Sequence, residues 1–470
     1  MHFLILFLMG VAFCSHAQVM TFTTTGDKSK FFEAQTLSLA TGDNPSAVRL
    51  NGEKRFQQME GFGAAMTGSS CYNLLRMRPD ERKKLLQETF DRRLGMGWSF
   101  VRITLGCSDF SLDEYSYCDK PGIENFALTV YETRDLIPVL KEILAINPNV
   151  KILASPWTCP KWMKVNNLKE LRPHDKWTSG HLNPAYYQDY ATYFIKFIQA
   201  MKSQGVEIEA ITLQNEPLNR GNSASLFMGW DEQRDFIKQA LGPKLKASGL
   251  KTRIWAYDHN FNYDKMNDQQ QYPLKIYNDP EAAQYIDGSA WHAYGGEFKE
   301  LEKIQAAYPA KGIYFTEIAI GEWSYDFAGD LMWASRNVAI GTIQRGCKAV
   351  MVWNYMLDDL HAPKRPGGCN NCFGCVDIDS QSYSKLERRS HFYLISHLAK
   401  VIHAGSTRVD LTGDLPTSTT AIAVENPNGT YGLFIRANHD KPTSMCINDG
   451  KKSFTINLPP KSLVSAIWRK

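Results

Sequence analysis

AITLQNEP at residues 210–217 and GIYFTEI at residues 312–318 are two short apolar runs, and each has a glutamate near its carboxyl end. Their interiors carry the β-branched and aromatic side chains of buried strands, whereas Glu216 and Glu317 come where each strand would stop. In a barrel of parallel strands, the carboxyl ends form the face at which side chains leave the packed interior and contact ligands. The two runs therefore predict a barrel with two acids on this face.

Further strand-like runs alternate with helix-like stretches from residue 58 to residue 357, which is the pattern of a parallel sheet with crossover helices. An open doubly wound sheet would need a Gly-rich phosphate turn, and the sequence has none. We therefore predict an α/β fold, a (β/α)8 barrel over residues 56–400. Its eight strands are predicted at 61–67, 99–106, 150–157, 209–216, 252–260, 286–294, 312–319 and 348–357, with helices at 80–90, 132–145, 185–203 and 231–241.

Both flanks of the predicted barrel have a different composition. Residues 20–50 and 406–468 are rich in Thr, Val and Ser, and they alternate apolar with polar positions. Asn-Pro-Asn-Gly and Pro-Pro sequences interrupt the second stretch. This pattern predicts one β-sandwich side domain built from both chain ends, residues 18–55 with 401–470, packed beside the barrel.

The amino terminus resembles a cleavable secretory signal over residues 1–17. Residues 3–14 are nearly all apolar, and a small-x-small site at 15–17 follows. The run is too short to span a bilayer, so we expect no stable membrane insertion. Lipidation at Cys14 is an alternative, although Phe13 is larger than the residue expected before a lipidated cysteine. We expect a secreted, periplasmic or cell-surface protein.

The charge and cysteine content limit the possible partners. The formal net charge is +4 and no basic run is present, which argues against nucleic acid as a partner. Cys369, Cys372 and Cys375 lie close together, and in an exported protein a local disulfide is the first expectation, although the pairing cannot be deduced. A zinc site would need a fourth ligand, and none is nearby. We therefore expect neither a metal nor a cofactor.

Two acids on one face of a barrel are the minimum equipment for cleaving a glycosidic bond. By strand count Glu216 ends strand four and Glu317 ends strand seven. If their carboxyl groups stand about 5–5.5 Å apart, Glu317 can attack the anomeric carbon while Glu216 protonates the leaving oxygen, with net retention; a wider gap would mean inversion. The alternative is that either acid is a helix cap or a surface charge, or that the protein binds carbohydrate without cleaving it.

The two roles require that Glu216 begins protonated and Glu317 ionised. Arg102 at the end of strand two and Tyr294 at the end of strand six are suitable donors to keep Glu317 charged. Asn215, directly before the proposed acid, is a candidate to hydrogen-bond the sugar 2-hydroxyl.

Aromatic residues at or beyond the strand ends are candidates to cover the C–H faces of a pyranose, although core packing is an equal alternative for each. They are Trp157, Trp291, Tyr294, Trp323 and Trp353. Trp157 and Trp353 are favoured because polar residues adjoin them, Asn354 among them. His292 follows an apolar strand, which favours a core histidine over a catalytic one, and it is included among the substrate-binding candidates.

Several motifs together resemble glycoside hydrolase family 30, which includes glucosylceramidases. They are GFGAAMT at 61–67, SPWT at 155–158, NEP at 215–217, HAY at 292–294 and TE at 316–317, with Arg102, DFS at 109–111 and WN at 353–354. The resemblance implies a retaining β-glycosidase on a barrel with a β-sandwich, with Glu216 as acid/base and Glu317 as nucleophile. It also implies a sugar site lined by Arg102, Trp157, Asn215, Tyr294 and Trp353.

The same resemblance implies a carbohydrate or glycolipid substrate. Glucosylceramidases place an Asp after the Gly-Phe-Gly-x-x-x-Thr run, and this chain has Gly68 there, which puts recognition of a terminal glucose in doubt. The expected substrate is either glucosylceramide or β-1,6-glucan, and a β-xylosidase or xylanase of the same family is the alternative. Exo or endo action and the oligomeric state stay open.

Overall fold

The computed structural model describes residues 18–41 and 47–470. Its centre is a closed barrel of parallel strands in which each strand pairs with the next along the chain and the last pairs with the first. The strands are β1 Gly61–Ala65, β2 Phe100–Thr104, β3 Lys151–Ser155, β4 Ala210–Thr212, β5 Arg253–Asn260, β6 Gly288–His292, β7 Gly312–Glu317 and β8 Cys347–Val352. The predicted (β/α)8 barrel is confirmed: seven of the eight predicted ranges contain one of these strands, and the eighth, 348–357, overlaps Cys347–Val352.

Helices cover the outside of the barrel because each has one apolar face. In Tyr187–Ser203, for example, Tyr190, Phe194, Phe197 and Met201 recur at helical spacing and are all buried. The α-helices are Gly68–Arg76, Pro79–Phe90, Ile137–Ile146, Tyr187–Ser203, Trp230–Phe236, Gly242–Ser248, Tyr272–Tyr277, Pro280–Ala283, Glu300–Ala307, Phe327–Ala334, Gly341–Ile343 and Ser390–Val401. Wider π turns occur at Tyr131–Leu136, Ile237–Leu241 and Ser335–Ile340, and 3-10 turns at Ile123–Asn125, Lys161–Met163, Pro184–Tyr186, Tyr263–Lys265 and Asn267–Gln269.

Large side chains fill the barrel interior below the carboxyl-end face. The rings of Trp255 and Tyr314 stack with centroids 3.5 Å apart. At the amino-end face, Arg253 Nη1 donates to Glu60 Oε1 at 3.1 Å and to the Tyr314 hydroxyl at 2.9 Å. The interior is therefore a packed core closed by ionic contacts at one end, which leaves only the other end for a ligand site.

The structure corrects the expected end of the fourth strand. β4 stops at Thr212, so Glu216 lies four residues beyond it in a backbone conformation with φ of 47°. The segment between them is held by neighbouring strands, since Asn215 N donates to Pro156 O at 2.7 Å and Glu216 N donates to Asp258 O at 3.0 Å. Glu216 is thus fixed on the barrel face without belonging to a strand, whereas Glu317 is the last residue of β7.

A ten-stranded sheet built from both chain ends lies beside the barrel, as predicted. In order across the sheet its strands are Glu33–Ser38, Gln18–Thr25, Ser462–Arg469, Thr430–Ala437, Thr419–Glu425, Thr407–Thr412, Val48–Gln58, Thr443–Asn448, Lys452–Leu458 and Ala40–Thr41. The sheet has its own apolar core, which includes Val19, Leu433, Ile447 and Trp468. Helix Ser390–Val401 lies between the two units, where His397 contacts the hydroxyls of Ser465 and Thr24 at 2.8 and 2.9 Å.

Short strands organise the loops on the carboxyl-end face. Ile320–Gly321 pairs with Cys372–Phe373, and Lys164–Val165 pairs with His181–Leu182. Met356–Asp358, Val376–Ile378 and Leu386–Arg388 form a third small sheet. Cys369 and Cys372 form a disulfide, so a local disulfide is present as expected, and Cys375 is free and buried.

The predicted signal segment 1–17 lies outside the described residues. Within residues 18–41 and 47–470, no helix is long and apolar enough to cross a membrane.

Candidate active site

A fully buried ion pair organises the carboxyl-end face. Asp258, which the sequence reasoning did not single out, accepts a hydrogen bond from Arg102 Nη2 at 2.9 Å and contacts His292 Nε2 at 3.0 Å. The hydroxyls of Thr212 and Thr316 each donate to it at 2.6 Å. Burial raises the pKa of Asp258, but the Arg102 charge and the His292 contact outweigh it and hold the pKa far below its usual range. Asp258 is therefore a permanent negative charge beneath the site.

A β-bulge in β5 directs two consecutive side chains to the same site. The pairing register between β5 and β6 shifts between Tyr257 and His259, and Tyr257 and Asp258 have φ of 74° and 84°. In a regular strand, neighbouring residues point to opposite faces, so Asp258 and His259 could not both contact the catalytic side. Because of the bulge, Asp258 contacts Arg102 while His259 Nε2 lies 3.7 Å from Glu216 Oε1.

Glu317 is surrounded by donors that stabilise a carboxylate. Arg102 Nη1 donates to Glu317 Oε2 in a buried salt bridge, and the Tyr294 hydroxyl donates to Glu317 Oε1 at 3.1 Å. Arg102 Nη2 also donates to Asn215 Oδ1 at 2.6 Å. Since a guanidinium stays charged at any working pH, Arg102 places a fixed positive charge beside the Glu317 carboxylate.

Glu216 has mostly neutral hydrogen-bond donors. Asn219 Nδ2 donates to Glu216 Oε2 at 2.8 Å and Asn222 Nδ2 donates to the same oxygen at 3.3 Å. His292 Nδ1 lies 3.4 Å from Glu216 Oε1 and 3.8 Å from Glu317 Oε1, so its ring stands between the two acids. One carboxylate oxygen of Glu216, one carboxylate oxygen of Glu317 and one ring nitrogen of His292 all lie within 4.8 Å of one another.

The two acids respond differently to their surroundings. Burial raises the pKa of Glu317, and His292 and Arg102 only partly oppose the rise. Burial also raises the pKa of Glu216, but charged His259 and His292 outweigh it and hold the pKa at about 2. Burial lowers the pKa of His259, so this imidazole is neutral near neutral pH and its pull on the Glu216 proton is then absent. These pKa directions place a shared proton on Glu317 in the free site, whereas the roles proposed below require it on Glu216, a placement that charged Arg102 beside Glu317 favours.

Glu216, His292 and Glu317 form a cluster of the kind that can hold a metal ion. The chemistry of His292 does not fit that role. Burial lowers its pKa, but Glu317, Asp258 and Glu216 outweigh burial and raise it to about 9. A protonated imidazole has no lone pair for a metal, and both ring nitrogens already face carboxylates.

Several buried polar atoms on the carboxyl-end face have no hydrogen-bond partner among the described residues. They include Trp157 Nε1, Asn215 Nδ2, Asn354 Nδ2, Asp109 Oδ1 and both ring nitrogens of His259. Unpaired buried polar atoms are costly and uncommon, and a cluster of them at one site fits contacts to ligand hydroxyls. The Trp157 and Trp353 rings lie 5.2 Å apart, and the Arg102 guanidinium lies 5.0 and 5.7 Å from their centroids.

The structure brings together most of the predicted site residues. Arg102, Trp157, Asn215, His292, Tyr294, Trp353 and Asn354 all lie around Glu216 and Glu317 or around residues that contact them. Thr67 Oγ1 donates to Asn354 Oδ1 at 2.7 Å, which fixes that amide. Trp291 instead belongs to the core, where it donates to Ser289 Oγ at 2.9 Å.

The sequence analysis gave no site role to five residues found here, Asp109, Asn219, Asn222, Asp258 and His259, although Asp109 belongs to the DFS motif. Asp258 and His259 interrupt an apolar run at a strand end, the same signal that identified Glu317, so they were accessible to that reasoning. Burial, followed by Glu317 and Glu216, raises the pKa of Asp109 well above its usual range. A Cβ at Gly68 would stand 3.5 Å from Ser111 Cα and 3.6 Å from Phe110 O, so the segment that follows Asp109 packs against Gly68.

Residues 59–402 match the sequence model of the glycosyl hydrolase family 30 TIM-barrel domain. Residues 405–466 match the model of the family's β-sandwich domain. The chain belongs to glycoside hydrolase family 30. It is thus a glycoside hydrolase with a TIM barrel and a β-sandwich, and the family and fold expected from the motifs are confirmed.

The curated relatives that this chain matches include endo-1,6-beta-glucanases and glucosylceramidases. The chain is 32% identical to an endo-1,6-beta-D-glucanase of Trichoderma harzianum, over 81% of this chain and 77% of that protein. It is 27% identical to the lysosomal acid glucosylceramidase of Mus musculus, over 90% of this chain and 83% of that protein. The solved structure of the endo-beta1,6-glucanase BT3312 is 50% identical, with a TM-score of 0.95 and coverage of 96% of this chain and 99% of that chain.

Proposed function

We propose that this enzyme is a retaining endo-β-1,6-glucanase in which Glu317 is the nucleophile and Glu216 the acid/base. The observation that carries the mechanism is the pair of carboxyl groups. Their oxygens approach within 4.8 Å, and only Glu317 forms a salt bridge with Arg102. A short separation leaves room for a sugar but not for an additional water between the acids, and this favours retention.

The first step forms a glycosyl-enzyme. The ionised Glu317 attacks the anomeric carbon from the side opposite the leaving group, and the bond from that carbon to the leaving oxygen breaks. Glu216 gives its proton to that oxygen, so the leaving chain departs as an alcohol and Glu216 becomes a carboxylate. Tyr294 and Arg102 hold Glu317 in position until its charge is lost in the new ester bond.

The second step consumes one water. Glu216, now a carboxylate, takes a proton from water as the oxygen attacks the anomeric carbon, and the bond to Glu317 breaks. Glu317 regains its charge, Glu216 regains its proton, and the sugar leaves with its original configuration. The unpartnered amide of Asn215, fixed through its oxygen by Arg102, is oriented to bind a sugar hydroxyl throughout.

Similarity to relatives supports β-1,6-glucan over the other candidate substrates. The endo-beta1,6-glucanase structure is 50% identical, whereas the mouse glucosylceramidase is 27% identical. Xylanase C from Talaromyces cellulolyticus shares 17% identity with a TM-score of 0.68, over 90% of this chain and 100% of that chain, which is a likeness of fold alone. Glucosylceramide remains the second candidate because several curated relatives are named glucosylceramidases.

The domain division and location follow from the same proposal. We assign residues 18–55 with 401–470 to the β-sandwich, residues 56–400 to the catalytic barrel and residues 1–17 to a secretory signal. Export suits an enzyme that acts on a polysaccharide outside the cell, and the Cys369–Cys372 disulfide suits an oxidising compartment. Neither a nucleic-acid partner nor membrane insertion is part of this proposal.

One set of assays tests the assignment. The purified enzyme is incubated with β-1,6-glucan, glucosylceramide, laminarin and xylan, and product sizes and the anomer first released are followed by chromatography and NMR. We expect β-configured oligosaccharides from β-1,6-glucan. Glu317→Gln and Glu216→Gln should each lower turnover by at least about 10³-fold, whereas Glu297→Gln, at an exposed position on the loop after β6, should retain it.

Glu216→Gln should recover a product with added azide on an aryl glucoside whose leaving group needs no protonation. Glu317→Gln should not recover a product under the same conditions. Near-normal turnover in either variant, or inverted first product, would contradict the roles. Cleavage of glucosylceramide alone would move the enzyme to the glucosylceramidase group.

A further inference from the structure

Trp323 is an exposed tryptophan on the catalytic face of the barrel. It lies on the loop that follows β7, after Glu317 and before helix Phe327–Ala334, and 52% of its surface is exposed. The tryptophans of the site itself, Trp157 and Trp353, are buried. A large ring left in solvent on a catalytic face lacks a packing explanation, and such rings commonly contact ligands.

The ring of Trp323 rests on the backbone of Gly321. A Cβ placed at Gly321 would stand 2.1 Å from Trp323 Cζ3 and 2.6 Å from Cε3, distances that only a glycine permits. The six-membered ring of the indole therefore lies against main chain at Gly321, while 52% of the Trp323 surface is exposed to solvent. We call this supported and half-exposed ring the Trp323 platform.

The support under this platform is fixed by several contacts. Ile320–Gly321 pairs with Cys372–Phe373, and Glu322 N donates to Asn371 O at 2.8 Å. The Cys369–Cys372 disulfide closes the partner strand's loop. Glu322 Oε1 also lies 3.3 Å from His361 Nε2. A ring on a supported loop loses less conformational freedom on binding than a ring on a free loop.

The platform is joined directly to the catalytic centre. Trp353 N donates to Ile318 O at 2.8 Å, so the beginning of the loop is tied to a residue of the sugar site. Trp323 follows Ile318 by five residues, which limits their separation to about 18 Å. A chain of sugars bound across Glu216 and Glu317 can therefore extend to Trp323.

We propose that Trp323 forms an outer glucan-binding subsite, in which its exposed ring stacks on a glucosyl unit away from the bond that is cleaved. The proposal rests on the proposed function, since an endo-acting enzyme binds a chain longer than the two units at the scissile bond. The C–H face of a β-glucosyl ring matches a flat indole. A 1,6-linked chain is flexible, so a second fixed contact point on the enzyme raises affinity for long substrates.

The test compares Trp323→Ala with Trp333→Ala. Trp333 is 45% exposed, but it lies at the end of helix Phe327–Ala334, where Met332 O accepts from Arg436 of the β-sandwich sheet at 2.9 Å. Kinetic constants are measured on β-1,6-glucan and on a short aryl β-glucoside. We expect Trp323→Ala to raise KM for the polymer by roughly five- to ten-fold and to leave the short substrate unchanged, while Trp333→Ala changes neither.

Binding without turnover provides a second readout. Affinity electrophoresis of Glu317→Gln and of the double variant Glu317→Gln/Trp323→Ala in gels containing β-1,6-glucan should show retardation only for the first. The subsite would be overturned if Trp323→Ala lost activity equally on the polymer and on the short substrate. It would also be overturned if Trp323→Ala had wild-type kinetics on the polymer and the double variant were retarded as strongly as Glu317→Gln. Wild-type enzyme that does not cleave β-1,6-glucan would instead refute the proposed function, so the two failures are distinguishable.

Discussion

Replacing Asp258 by Asn tests whether the buried charges of the site act as one unit. The substitution keeps the size of the side chain but removes its charge, and the new amide NH₂ is a donor. Its neighbours Arg102 Nη2, Thr212 Oγ1 and Thr316 Oγ1 are donors as well, and His292 Nε2 at 3.0 Å is protonated at neutral pH. Each carboxylate oxygen of Asp258 serves two of these donors, so two of them must lose their acceptor in Asp258→Asn.

The magnitude follows from these contacts. Asp258 and Arg102 are both fully buried, and breaking a buried pair by removing one partner costs about 3–5 kcal/mol because the remaining charge is uncompensated. Arg102 also contacts Glu317 and Asn215, so its displacement should lower kcat/KM by about 10²–10³-fold. Asp258→Asn should therefore lower both the free energy of unfolding and kcat/KM.

Thermal unfolding and kinetics on the preferred polymer provide the measurement. Asp410→Asn is the matched control, since Asp410 forms an ion pair at 3.0 Å with Lys54 at the surface, where such pairs contribute little. The pKa of Asp258 is depressed in the fold, so its contribution is fully present above about pH 4 and is lost as the pH falls below that value. The stability difference between wild type and Asp258→Asn should therefore narrow only in acid. A variant with wild-type stability and turnover at pH 7 would refute the reasoning.

Two further predictions concern the histidines. Burial keeps His259 neutral near neutral pH, so His259→Gln should leave the alkaline limb of the kcat/KM profile in place, and an upward shift of about one pH unit would show that His259 is charged beside Glu216. The pKa of His292 is raised to about 9, so its stabilisation of about 3 kcal/mol is complete below pH 6.5 and is lost as the pH rises through 9. Unfolding between pH 6 and 10 should show this slope, and a flat profile would contradict it.

The barrel was accessible from sequence because its strands are buried on both sides. Continuous apolar runs such as residues 312–317 have few other stable environments, and their regular alternation with amphipathic segments gives the topology. The order of strands in the side sheet was not accessible in this way. Val48–Gln58 from the amino-terminal part lies between Thr407–Thr412 and Thr443–Asn448, and pairing over such distances depends on tertiary packing that local patterns do not specify.

Part of the site depends on backbone conformations that cannot be predicted from the residue types. Tyr257, Asp258 and Glu216 have positive φ although none is glycine, so alternation along a strand misassigns where their side chains point. His292 shows a different limit. It was expected to be a core histidine, and it is fully buried, yet its ring contacts both Asp258 and Glu216. Burial and function are compatible here because the catalytic face is itself packed with charged groups.

Charge balance explains why these particular groups are buried together. On the proposed roles, Arg102 and His292 supply two positive charges, and Asp258 with ionised Glu317 supplies two negative ones, so a protonated Glu216 leaves the resting site neutral. Once Glu317 is esterified its charge disappears, and Glu216, having given up its proton, carries the second negative charge instead. The site is neutral again in the intermediate. Since a net charge in a buried site is costly, this exchange lets the proton move between steps without an uncompensated charge in either state.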